Sequence, residues 1–196
     1  MKTCIDFYDD TAQSWADRWY NDDLNIPYLK RFLEIINVKY PRVLDLCCGA
    51  GYESMRLKNL GATVVGADLS VKSIEIAKQK NPEIVFHVKD MLKSYTDLGI
   101  FDGVACIAGI VHLENDKLKT ALKNMHEVLK DDGYLFLVFK SNGENRYSAT
   151  YNQQEYARNF IFHTKEELDK CSSKLFSFVE DLGSQDDWQY LVYKKI

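Results

Sequence analysis

The stretch VLDLCCGAGYES (43–54) places two adjacent cysteines between an apolar run and a Gly-x-Gly turn. A metal, a redox couple, a phosphate or a nucleoside could use such a set. Adjacent residues of an extended strand point to opposite faces, so Cys47 and Cys48 cannot hold one ion together. No C-x-x-C or H-x-x-x-H pattern elsewhere completes a zinc site. The pair therefore reads as packing thiols, and no metal site is expected.

The glycines point elsewhere. Gly49 and Gly51 let backbone approach a ligand and open a helix whose first N–H groups face outward. Asp68 ends the next β-type run, where a carboxylate can accept both hydroxyls of a ribose. Asp90 follows the third run in HVKDM, beside Met91. A glycine turn and two acids at three successive strand ends describe a nucleoside site. His112, in IVHL after the fourth run, is the best-placed imidazole for proton transfer; orienting the loop before the next helix is an equal reading. His87 falls inside a strand and His126 on a helix, which suits structural or solvated roles.

The elements that position these groups alternate. The β-type runs are 42–47, 63–68, 84–88, 101–107 and 134–140, near-continuously apolar as in strands buried on both faces of a parallel sheet. Helices are predicted over 51–60, over 71–80 with Ser70 as N-cap, and over 116–130, which Asp131-Asp132-Gly133 would stop with Gly133 making the turn. Thr164 and Glu167 have capping-box spacing for a helix near 165–171. Runs 174–181 and 188–195 close the chain as a hairpin across 183–187, too short a link for a helical crossover. The sum is a doubly wound α/β fold with five parallel strands and a terminal hairpin, binding its ligand beyond the strands' carboxyl ends.

Length and composition agree. A chain of 196 residues, 46% hydrophobic and 28% charged, suits one globular domain. It divides into an N-terminal helical cap (1–40), a core (41–140), an insertion (141–163), and a last helix with the hairpin (164–196). A net charge of −4 disfavours nucleic acid as partner. The start MKTCIDFYDD lacks a secretory apolar region, and no run approaches the roughly 20 residues that span a bilayer. Five scattered cysteines fit a reducing compartment, so a cytoplasmic protein is expected.

VLDLCCGAG (43–51), VVGADLS (64–70), VKDML (88–92), FDGVACIAGIVHL (101–113) and LKNMHEVLKDDGYLFLVF (122–139) together resemble class I S-adenosylmethionine-dependent methyltransferases. The segment 157–168 and the final hairpin are similar to small bacterial members acting on small molecules. The resemblance implies a mostly parallel seven-stranded sheet, S-adenosylmethionine as cofactor and S-adenosylhomocysteine as product. It implies that Gly49, Ala50 and Gly51 pass the methionine part and that Asp45 lies near its amino-acid end. Asp68 would hold the ribose, Leu69 would pack on adenine, Asp90 would take the adenine amine with Met91 against the ring, and Ile107 would line the same cleft. Cys47 stands where the family has its first loop glycine, a small side chain that costs backbone freedom.

Two aromatic-rich segments have no place in the core. Residues 7–20 read as a packed outer helix or as a lid over the cleft. Residues 141–163 exceed the usual connection of roughly 4–6 residues and lie at the ligand end. Tyr8, Trp15, Trp19, Tyr147, Tyr151 and Arg158 are their acceptor-site candidates, with Arg158 suited to a carboxylate or phosphate. The expected reaction is in-line methyl transfer to a small molecule, with His112 or His163 as base where the acceptor must lose a proton. A nicotinamide-dependent oxidoreductase is the alternative, though Ser54 stands where a dinucleotide fingerprint wants Gly or Ala. An inactive cofactor-binding interaction module is the third reading. Nucleic-acid methylation is disfavoured by IAGIV in place of an N-P-P-Y-type segment, and metal-assisted O-methylation by the lack of acids there.

Overall fold

The computed structural model describes all residues, Met1–Ile196. Helix α1 (Cys4–Trp19) opens with a capping box: the Thr3 hydroxyl accepts from Asp6 N–H while the Asp6 carboxylate accepts from Thr3 N–H at 2.7 Å. Helix α2 (Ile26–Ile36) carries Pro27 in its first turn, ends on left-handed Asn37, and turns Leu29, Phe32 and Ile36 onto the sheet. Strand β1 (Arg42–Leu46) leads through the glycine turn to α3 (Tyr52–Asn59), then β2 (Thr63–Asp68), α4 (Val71–Lys80) and β3 (Val85–Val88). Ser70 caps α4, accepting from Ser73 N–H at 3.0 Å as its position predicted.

The second half runs β4 (Phe101–Ile107), α5 (Asn115–Glu127), β5 (Leu129–Lys140), β6 (Arg146–Tyr151), β7 (Gln154–Phe160), α6 (Lys165–Ser172), β8 (Phe176–Gln185) and β9 (Trp188–Lys195). Seven strands form one sheet in the order β3-β2-β1-β4-β5-β9-β8, and β6 pairs with β7 separately. Pairings among β1 to β5 are parallel, whereas β9 is antiparallel to both neighbours. The winding reverses between β1 and β4, so their carboxyl ends border the expected ligand crevice.

Alternation along the strands feeds two cores. Leu44, Leu46, Val104, Cys106, Leu135 and Leu137 face α5, where Leu118, Leu122 and Met125 meet them. Val43, Val64, Ala105, Phe136 and Val138 face α2, α3 and α4.

Three boundaries differ from expectation. Helix α5 ends at Glu127 rather than 130, because the sheet claims the next residues: Phe101 N–H donates to the Val128 carbonyl at 2.8 Å and Leu129 pairs with Phe101. The left-handed residue there is Asp132 (φ 64), not Gly133. The last hairpin is tighter than 183–187, since β8 continues to Gln185 and only Asp186 and Asp187 turn, both at positive φ. The segment 141–163 is a hairpin, β6–β7, turning at Asn152-Gln153. No helix is long and apolar enough to cross a membrane.

Candidate functional site

The glycine turn leaves β1 in a left-handed conformation at Cys47 (φ 63), Gly49 (φ 53) and Gly51 (φ 86). Only glycine takes such angles without cost, so Cys47 carries local strain. Because β1 stops at Leu46, the cysteines do not alternate as strand residues. Their thiols nonetheless separate, Cys48 into the α2–α4 core and Cys47 against the α5 core. A Cβ on Gly51 would stand 2.9 Å from the Phe86 ring of β3 and 3.0 Å from Ala77 of α4, so the turn packs closely against both elements. No three His, Cys, Asp or Glu side chains gather in a way that could hold a metal ion.

Asp68 locks this turn. Its Oδ2 accepts from Gly49 N–H at 2.9 Å and its Oδ1 from Ser70 N–H at 2.8 Å. Burial raises its pKa, opposed by those N–H groups. A carboxylate has about four acceptor directions, so two stay free for hydroxyls of a sugar. Lys89 N–H donates to the Asp68 carbonyl at 2.9 Å, which brings the end of β3 alongside. There Asp90 Oδ1 accepts from Leu92 N–H at 2.9 Å, Met91 packs half-buried against the α5 core, and Asn124 holds the Met91 carbonyl at 3.0 Å. Leu69 is 38% exposed beside them, an apolar surface for a flat ring. Ile107 ends β4 half-buried, followed by left-handed Ala108.

Asp45 lies beneath the turn, 1% exposed, with its Oδ2 accepting from the Ser54 hydroxyl at 2.5 Å. Burial pushes its carboxyl up to about 7 against that hydrogen bond. Tyr52 was not singled out by sequence, though it directly follows Gly51. Its hydroxyl stands 3.6 Å from where a Gly49 Cβ would be, so the ring overhangs the turn. Tyr20 also reaches in, donating to the Ala50 carbonyl at 2.7 Å and accepting from Asn81 at 2.7 Å.

Helix α1 and β7 close the other end. Asp9 of α1 accepts from the Ser70 hydroxyl at 2.6 Å and from Lys72 N–H at 3.1 Å, seating the helix over the start of α4. Asp10 joins Lys2 at 2.7 Å and the Tyr156 hydroxyl at 2.8 Å, tying α1 to β7. Between these anchors, Arg158 Nη2 donates to the Tyr8 hydroxyl at 2.7 Å, and that hydroxyl lies 2.8 Å from His112 Nε2. His112 Nδ1 is 2.7 Å from the Asn159 carbonyl. A carbonyl only accepts, so Nδ1 carries the proton, Nε2 is the acceptor, and Tyr8 donates to it. Burial pushes His112 down to about 4 and Tyr8 up to about 12, so both are neutral at pH 7.

The remaining candidates divide. Tyr151 meets Ser14 of α1 at 3.2 Å. Trp15 and Trp19 lie half-buried on α1, Trp15 with its indole N–H enclosed and unpartnered. Tyr147, 57% exposed on β6, does not join the others. His163 is fully buried, its Nε2 against the Ile110 carbonyl at 3.2 Å, and is not open to a ligand as a base would be.

Comparison with known proteins places this architecture. A family described as a methyltransferase domain matches residues 43–133. An uncharacterized methyltransferase of Oceanobacillus iheyensis is 28% identical over 159 residues, covering 79% of this chain and 74% of that protein. The ubiquinone biosynthesis O-methyltransferase of Coxiella burnetii is 28% identical over 162 residues, covering 79% and 68%. Among solved structures, the magnesium protoporphyrin IX methyltransferase of Synechocystis superposes with a TM-score of 0.72 at 19% identity, over 97% of this chain and 94% of that one. The last likeness speaks to fold, and the first three to the enzyme built on it. Together these matches support an S-adenosylmethionine-dependent methyltransferase of class I, with its methyltransferase domain at 43–133.

Proposed function

We propose that this enzyme methylates a small molecule, holding the cofactor across the ends of β1, β2 and β3 and the acceptor beneath α1 and the β6–β7 hairpin. The observation that carries the reading is the lock between Gly49 N–H and Asp68, which leaves carboxylate acceptor positions free beside a bare glycine turn. When bound, S-adenosylmethionine supplies an electrophilic methyl on a sulfonium. The residues then have separate tasks. Asp68 orients a ribose, Leu69 and Met91 give an adenine its apolar faces, and Asp90 has a second carboxylate oxygen for the amine. Asp45 and Tyr52 lie where the methionine end would pass.

At the acceptor end, His112 takes a proton only through Tyr8, whose hydroxyl occupies Nε2. An acceptor that must be deprotonated would hand its proton to the Tyr8 oxygen while Tyr8 passes its own to His112. Helix α1 and the hairpin exclude water from that end. Five free cysteines support a cytoplasmic setting.

The test is ligand-induced stabilisation. S-adenosylhomocysteine should raise the melting temperature, because a ligand of the native state contributes about 2.7 kcal/mol at 100 times its dissociation constant. NAD and NADP should not. A shift with NADP and none with S-adenosylhomocysteine would overturn the site assignment.

A further inference from the structure

We propose that Arg158 anchors an anionic group of the methyl acceptor, which makes the substrate a small carboxylic acid or an organic phosphate or phosphonate. This rests on the placement of the acceptor beneath α1 given above.

Buried Arg56 and half-buried Arg158 contrast. Arg56, 5% exposed, is satisfied by the protein: its Nη1 pairs with Glu53 at 3.0 Å and its Nη2 donates to the carbonyls of Trp19 and Asp22. Arg158 pairs with no carboxylate. It gives one hydrogen bond, Nη2 to the Tyr8 hydroxyl, and its Nε–H is buried with no partner. The rings of Phe7, Tyr8 and Phe160 surround its guanidinium at 4.8, 5.3 and 5.2 Å. Aromatic faces favour a cation but satisfy none of its in-plane donors. An enclosed donor without a partner is costly, and a cation more so. Arg146 lies over the same Phe160 ring at 5.0 Å, adding a second positive charge beside it.

The geometry of the vacant donors defines the ligand. Nε–H and one of the two hydrogens of Nη2 lie along one edge of the planar group, the edge that receives two oxygens of one carboxylate or phosphate. Nη2 can therefore keep Tyr8 while the fork takes an anion. That leaves Tyr8, and through it His112, connected to the anchor at the end of β4 where transfer must occur. The aromatic walls favour an apolar or aromatic body behind the anionic group.

The test uses the full-length protein with S-adenosylhomocysteine bound. Benzoate, phenylphosphonate and inorganic phosphate are titrated by calorimetry beside neutral benzamide and benzyl alcohol, and the organic compounds are offered as acceptors with methyl-labelled S-adenosylmethionine. Anions should bind or be methylated, neutral matches should not, and the preference between benzoate and phenylphosphonate names the oxyanion. Arg158→Met should weaken anion affinity at least tenfold, with S-adenosylhomocysteine affinity changed less than twofold. Arg158→Lys keeps the charge without the fork and should fall between, with near-normal melting. Neutral compounds binding as well as anions, no anion binding at millimolar concentration, or unchanged anion affinity in both variants would overturn the anchor. Failure of S-adenosylhomocysteine itself to bind strikes the cofactor site instead, which separates the two outcomes.

Discussion

The two ends of the cleft are made in different ways. The end proposed for the cofactor is mostly backbone held by close neighbours: Gly49 and Asp68 are 19 residues apart, and Asp45, Leu69, Asp90 and Met91 lie in the same stretch of chain. The acceptor end is side chain held by distant ones. Tyr8 and His112 are 104 residues apart, and Tyr8 and Arg158 are 150 apart. The family match covers 43–133 and so contains the first end and His112, but neither α1 nor the hairpin. A cofactor that never changes can be met by fixed backbone geometry. An acceptor that differs between relatives is met by attached elements that the core does not specify, so the two ends should respond to mutation independently.

The largest expected effect tests the cofactor end. Asp68→Ala should weaken S-adenosylhomocysteine binding by roughly ten- to a hundredfold, since each charge-assisted bond to a ribose hydroxyl contributes about 1.5–3 kcal/mol. Calorimetry on the folded variant measures this, and unchanged affinity would move the ribose contact elsewhere. The acceptor end is probed next by Tyr8→Phe, which strips the hydroxyl between Arg158 and His112. It should cost roughly 1–3 kcal/mol of stability, or about 2–4 °C of melting temperature for each kcal/mol, and lower turnover. Cofactor affinity should stay within threefold, roughly 0.6 kcal/mol. A large loss of cofactor affinity would show that the ends are coupled.

A smaller effect concerns Asp45, whose carboxyl goes from the usual 3.8 up to about 7 on folding. Between those values the unfolded chain has released its proton and the native protein has not. The native state binds more protons, so this group's contribution to stability falls as pH rises through that window. Asp45→Asn should flatten the decline between pH 4 and 7 in ligand-free protein, measured by denaturant titration at each pH (window from the same values). An unaltered slope would assign the decline to Asp68 or Glu53, which burial also raises. The smallest change is expected from Cys47→Gly. Relief of the left-handed strain, about 1–2 kcal/mol, is set against lost thiol packing, so stability should move by no more than about 1 kcal/mol with cofactor affinity unchanged.

Much of the cofactor end was legible because its signals are local. A glycine at positive φ, an acid closing an apolar run and a serine before a helix each announce themselves within a few residues, and Gly49, Asp68 and Ser70 stand as those signals require. Tyr52 had a local signal too, its place directly after Gly51, but an aromatic at a helix start has many uses. The end of α5 was less legible, because Val128 and Leu129 continue a helical pattern and only Phe101 across the sheet draws them into β5. Residues 141–163 gave no strand pattern strong enough to mark β6 and β7.

By itself, then, the sequence determined the sheet, its winding and the place of the glycine turn, because continuous apolar runs, helical stripes and capping are written in short-range order. It also named Tyr8, His112 and Arg158 one at a time as polar groups near the ligand end. Only the tertiary structure decided that these three meet, that a phenol covers His112 Nε2, and that Arg158 is left without an acid while Arg56 has one. The reason is physical: a hydrogen bond across a hundred residues depends on how α1 docks on α4 and β7. That docking follows from the packing of Phe7, Ala12 and Ala16 and the anchors at Asp9 and Asp10, not from any pattern along the chain.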